Sequence, residues 1–168
     1  MTYANTFKST LAAAVACLAL VLTPNPAAAA TATTTFSVSA SVTATCLISA
    51  TTLSFGSYAF AATPSTSTIS VTCTNGTTYN VGLNPGLTTG ATVTTRQMAG
   101  TVTGSKLNYG LFQDSGHATN WGNTVGTDTV AGTGNGAAQS LTVFGQIPAT
   151  QYVAPGSYSD TITATITY

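Results

Sequence analysis

Apolar and hydroxyl side chains alternate one for one through long stretches of this chain, and that period of two limits the fold more than any other feature. Phe36, Val38, Ala40, Val42 and Ala44 interleave with Ser37, Ser39, Ser41 and Thr43. At the other end, Ile162, Ala164, Ile166 and Tyr168 interleave with Thr161, Thr163, Thr165 and Thr167. Such spacing turns one set of side chains inward and leaves the other in water when the backbone is extended. The 37 threonines suit this arrangement, because a β-branched side chain favours strands while its hydroxyl wets the outer face. Further strands are predicted over 46–55, 66–73 (Ile69, Val71 and Cys73 inward), 79–83, 92–98, 106–114, 140–147 and 158–168. No helical periodicity competes with them. Asn75-Gly76, Asn84-Pro85-Gly86 and Ala154-Pro155-Gly156-Ser157 supply turns, the last with Pro and Gly where a type II turn wants them. The stretch 115–139, rich in Gly and Asn, shows little alternation and is expected to bridge two sheets. Short strands separated by turn signals predict an all-β fold, an immunoglobulin-like sandwich rather than a barrel.

Charge narrows the function. Only 4% of the 168 residues are charged, and there is no Glu. Nucleic-acid binding needs a basic stripe to displace counterions, and a membrane surface attracts clustered Lys and Arg, so neither is an expected partner. Disorder is excluded too, since 43% of the chain is apolar.

The first thirty residues read as an address. Lys8 precedes a short apolar run from Leu11 to Leu22, and Pro24-Asn25-Pro26 leads into four alanines. This is the pattern of a secretory signal peptide, cleaved between Ala30 and Thr31; the run falls short of the ~20 residues a membrane span requires. Cys17 would leave with the leader. The mature chain then holds Cys46 and Cys73, and export places them where disulfides form and persist, so they are expected to be bonded. Two cysteines and one histidine cannot close a four-ligand zinc site, and no metal or cofactor is expected.

The search for catalytic chemistry returns turns. A Ser/His/Asp set could be assembled around His117, the single histidine, but no G-x-S-x-G elbow occurs, and Asp114-Ser115-Gly116-His117 has ordinary turn composition. Gly132-Thr133-Gly134-Asn135-Gly136 matches no phosphate-binding motif and reads as a flexible loop. Trp121 reads either as a stacking residue or as a cap over one end of the sandwich, the cap being favoured. Asn75-Gly76-Thr77 fits a glycosylation acceptor and, equally, a tight turn. No catalytic residue is expected.

The alternating segment 36–44 stands just before Cys46, and the chain stops within its last alternating strand. A sandwich that lacks its closing strand leaves an apolar groove beside Ile162, Ala164, Ile166 and Tyr168. The leading segment of another copy can fill such a groove by adding a strand.

The same residues resemble the spore coat protein U family, to which the archaic, Csu-type chaperone–usher pilins belong. The resemblance is carried by the segment 36–44 before Cys46, Leu53-Ser54-Phe55-Gly56-Ser57-Tyr58, Ile69-Ser70-Val71-Thr72-Cys73 and Leu107-Asn108-Tyr109-Gly110-Leu111-Phe112-Gln113-Asp114. Trp121-Gly122, Val143-Phe144-Gly145-Gln146-Ile147-Pro148 and the ending from Pro155-Gly156-Ser157-Tyr158 complete it. It implies a signal peptide (1–30), a donor segment (31–45) and an incomplete pilin domain (46–168). It implies Phe36, Val38, Ala40, Val42 and Ala44 as the donor face and Ile162, Ala164, Ile166 and Tyr168 as the border of the accepting groove. A Cys46–Cys73 disulfide fits the family. The implied partners are other pilin subunits, a periplasmic chaperone and an outer-membrane usher, with a route through the periplasm to a surface fimbria that serves attachment and biofilm formation. A shaft or adaptor subunit is expected rather than a tip adhesin. A coat protein of the same fold is the second reading, and a small secreted hydrolase using His117 the third.

Overall fold

The computed structural model describes residues 27–168, and its chain divides into two units, one up to Ser39 and one from Ala40 onward. The signal-peptide expectation falls almost wholly on residues outside the described ones. In the first unit, residues 27–39 carry no helix or strand.

The second unit is all-β. Its nine strands are β1 (Cys46–Ala50), β2 (Thr63–Cys73), β3 (Thr78–Leu83), β4 (Arg96–Gly100), β5 (Lys106–Phe112), β6 (Val130–Thr133), β7 (Gln139–Ile147), β8 (Tyr158–Ser159) and β9 (Ala164–Thr167). They form a six-stranded sheet in the order β1-β2-β7-β5-β4-β8 and a three-stranded sheet in the order β6-β3-β9. All pairings are antiparallel. Alternation does the sorting: in β2, Ile69, Val71 and Cys73 are buried while the residues between them are half-exposed. Those three pack with Tyr79, Val81, Leu83, Leu107, Tyr109, Leu111, Trp121, Val143 and Ile147 into one core. Antiparallel sheets with one face dry and one wet give this reading of period two.

Several boundaries depart from expectation. The strand expected over 92–98 begins only at Arg96. Before it, the Thr92 hydroxyl lies 3.1 Å from the Thr95 amide, which donates to it, and 2.7 Å from the Thr95 hydroxyl. This side-chain turn outcompetes the ladder that β-branched residues would otherwise favour. The strand expected over 46–55 ends at Ala50, and that over 158–168 is split into β8 and β9. At the split the Asp160 carboxylate accepts the amides of Leu87 and Thr161, each at 2.8 Å. Gly156 has φ 154°, far from the ~80° of a type II turn, so that turn expectation is not met.

Residues 115–139 do cross between sheets, but they are not featureless. They contain β6, pairing with β3 from Thr78↔Thr133 to Val81↔Val130. Nor is 132–136 a free loop. The Gly134 amide donates to Thr77 O (2.8 Å) and the Gly136 amide to Cys73 O (3.1 Å). The segment 36–44, whose alternation predicts a strand, forms none, and Phe36, Val38 and Val42 are 84–85% exposed.

Candidate functional site

The sandwich is left open along one side. A cleft of about 1020 Å³ lies between residues 50–58, which continue from β1, and residues 153–164, which lead into β9. Its floor is the core itself: Ile69, Leu83, Leu107, Leu111, Val143 and Ile147 all reach it. Leu53 and Phe55 project from one wall, above Gly145. A Cβ at Gly145 would stand 2.8 Å from Leu53 Cδ1, so glycine lets these side chains lie flat on the sheet.

The strand geometry next to the cleft matters as much as its apolar floor. β9 pairs with β3 on one side, Leu83↔Ala164 to Asn80↔Thr167, and with no described strand on the other. Its outer edge therefore has no ladder partner among the described strands and lies beside an apolar cleft, the combination that sheet edges normally guard against. Ile162 and Ala164 line the cleft. Ile166 packs half-buried against the core but is not on the cleft wall, and Tyr168 lies past the end of β9, 58% exposed. Of the four residues expected to border the groove, two are thus brought to it.

Two fixtures hold the cleft's frame. The Cys46–Cys73 disulfide, bridging the directly paired first residue of β1 and last residue of β2, pins β1 to its neighbour. The second is a residue that sequence reasoning passed over. Arg96 has no exposed surface, and its guanidinium donates to four backbone carbonyls: Asn84 (2.9 Å), Val93 (2.6 Å), Leu83 (2.9 Å) and Trp121 (2.7 Å). Burial lowers its pKa to about 10, which still leaves it charged at neutral pH. Nothing in the local sequence signals this, because the four carbonyls converge only in the folded chain.

The aspartates are tied down as well. Asp160 Oδ2 accepts the Tyr109 hydroxyl at 2.7 Å, and burial followed by this hydrogen bond pushes the phenol well above its ordinary range. Asp128 caps the Thr124 amide (2.6 Å). Asp114 accepts the amides of Ala118 (3.2 Å) and Thr119 (2.6 Å), and those bonds, Thr119's first, hold its carboxyl below the usual range. His117 sits in that turn with φ 56°, its ring edge-on to Phe112. Trp121 is in the core, 1% exposed, with its indole N–H donating to Val81 O (2.8 Å); it neither stacks outward nor merely caps an end. Asn75 is exposed in the turn between β2 and β3, where Gly76 has φ 82°. Among the described residues, no three His, Cys, Asp or Glu side chains gather as metal ligands.

Fold and cleft together define an incomplete immunoglobulin-like sandwich of the pilin type. The chain belongs to the spore coat protein U domain family, whose model matches residues 32–165. It is 35% identical over 129 residues to Protein U of Myxococcus xanthus, covering 70% of this chain and 72% of that protein. Among solved structures it resembles a chain of the CsuC–CsuE chaperone–tip adhesion subunit pre-assembly complex from the archaic chaperone–usher Csu pili of Acinetobacter baumannii. That likeness has a TM-score of 0.59 at 23% identity, over 76% of this chain and 40% of the other, and it is a likeness of fold. The family is structural rather than enzymatic, and the family read from the residues is the one found.

Proposed function

We propose that this chain is a structural subunit of a surface fimbria, joined head to tail when segment 36–44 of one copy enters the cleft of the next. The observation that carries this reading is the cleft itself, which reaches down to core side chains beside a β9 edge with no described partner strand. A donated strand would satisfy both the edge and the floor. Phe36, Val38 and Val42, each 84–85% exposed, would bury at ~1.5–3 kcal/mol apiece, with Ala40 and Ala44 filling narrower positions, before the cost of ordering the segment. Such a contact is heterologous and does not close, so it propagates as a filament.

An open cleft on so weakly charged a chain invites misassembly. A periplasmic chaperone that occupies it until export, and an outer-membrane usher that presents the next subunit, are the partners this reading requires. The route is then from signal peptide (1–30) through the periplasm to the cell surface, where the fibre contributes to attachment and biofilm formation. Residues 31–45 act as donor and 46–168 as the accepting domain, with Ile162 and Ala164 flanking the donated strand.

The test is Val38→Asp combined with Val42→Asp. The chain should fold with its disulfide intact and be recovered with its chaperone, but give no ladder of polymers on non-denaturing gels. Polymers of wild-type length would refute the reading. The 35% identity to Protein U favours a second reading, a coat protein whose leading segment completes its own sandwich. Deleting residues 33–44 separates the two: a pilin stays bound to its chaperone as an unpolymerised subunit, whereas a self-completed coat protein unfolds.

A further inference from the structure

At one end of the cleft three aromatic rings stand in a row. The Tyr58 and Phe60 ring centroids are 6.2 Å apart, and those of Phe60 and Tyr152 are 5.1 Å apart. Phe60 is 53% exposed and Tyr152 81%. These rings are held outward by a stiff frame. Phe60 (φ 61°) and Thr150 (φ 63°) both adopt left-handed backbone, disfavoured for either residue, and the Thr150 amide donates to Phe60 O at 2.8 Å. The Tyr58 hydroxyl donates to Pro148 O and accepts the Gln151 amide, both at 2.9 Å. Strained backbone that fixes exposed aromatic surface is a feature the core does not need.

Strand direction says what meets it. From Cys46 the chain runs through β1 into residues 50–58, which follow the cleft to the Tyr58 end, and β9 runs the opposite way, with Thr167 toward the Cys46 end. All described strand pairings are antiparallel. A donated segment that pairs antiparallel with β9 therefore has Ala44 at the aromatic end. Only Thr45 separates Ala44 from Cys46, a spacing of two residues at ~3.3 Å each, and Cys46 is fixed in its own sheet by the disulfide. The donating copy has no slack, so its Cys46 end abuts the rings. That end displays Leu47, 69% exposed, and the exposed Asn75-Gly76 turn, with no Lys, Arg, Asp or Glu among these residues to desolvate.

We propose that Phe60 and Tyr152 are a seat for the next copy of this chain, receiving its Leu47 and Asn75-Gly76 turn where the donated strand emerges from the cleft. The inference rests on the strand-donation reading and adds to it a contact between folded bodies, which makes the joint stiffer and slower to part than the strand alone.

Two measurements on the full chain separate the contact from strand donation. A synthetic peptide of residues 33–45 is titrated into the Val38→Asp, Val42→Asp chain, with and without Tyr152→Ser; it reads the cleft alone and should bind both equally. Fibres of the wild type and of the Tyr152→Ser chain are then compared for their rate of falling into subunits in mild detergent, with Phe60→Gly, which suits the left-handed backbone, as the second variant. Each should part about tenfold faster than the wild type, as loss of a buried aromatic contact predicts. Equal peptide binding with unchanged fibre dissociation overturns the seat and leaves strand donation standing. No peptide binding to either chain overturns both.

Discussion

Replacing Arg96 by Met removes the guanidinium but keeps the length and apolar stem of the side chain. Four backbone carbonyls then lose a charged donor. Those of Leu83 and Trp121 lie in fully buried bonds, and those of Asn84 and Val93 in partly buried ones that water can reach. An unsatisfied buried acceptor costs about 1–3 kcal/mol, so the two buried carbonyls alone set a loss of ~2–6 kcal/mol. Against this, the variant no longer has to strip water from a cation, a cost expressed in the lowering of the Arg96 pKa to about 10. The expected net loss is ~2–4 kcal/mol, a large share of the ~5–15 kcal/mol that a domain of this size commands. Urea unfolding of the oxidised chain at pH 7 measures it as a fall in midpoint at unchanged slope. Arg96→Lys should lie between the two, since a single ammonium with three donors cannot reach all four oxygens. A change within ~0.5 kcal/mol for Arg96→Met would refute the reasoning and mean that the carbonyls find other partners.

Reducing the disulfide, or Cys46→Ala, should lower stability by ~3–4 kcal/mol, as expected for cross-linking residues 27 apart, and an unchanged melting temperature in reductant would count against it. Tyr109 keeps its proton when folded at pH values where the unfolded phenol, ionising near ~10, has lost it, so its contribution falls as pH rises past that value. Arg96 acts oppositely over pH 10–12.5, because there the unfolded chain holds the extra proton. Tyr109→Phe isolates the first effect: its stability should decline less than the wild type's between about pH 10 and 11, and parallel curves would dismiss the assignment.

Much of this architecture was legible where alternation and packing agree. β3 and β5 carry inward apolar residues at every second position and β2 and β7 do so over part of their length, and each lies where expected to within a few residues. β6 was hidden because it is an edge strand without an apolar stripe. Its Gly132 lies under the Tyr79 ring, leaving no room for a side chain that would have betrayed the pattern. β4 was misplaced because threonine reads as a strand former and acts, at Thr92, as a turn former. At the site, Ile162 and Ala164 were visible from periodicity, since period two survives the loss of ladder bonds around Asp160. The opposite wall, Leu53 and Phe55, was visible only as a motif, and the strained Phe60–Thr150 pair left no signal at all. Left-handed backbone at Phe or Thr is imposed from a distance, and local sequence does not encode it.

The way this chain spends its few ionic groups has a consequence for any material built from it. Arg96 and Lys106 both donate to main-chain oxygens, Lys106 to Thr89 O at 2.8 Å, while Asp114, Asp128 and Asp160 accept main-chain amides. With only 4% of its residues charged, the chain carries scarcely any counterion cloud for dissolved salt to compress. A thread of such copies should keep the same reach and the same spacing from its neighbours in fresh water and in brine.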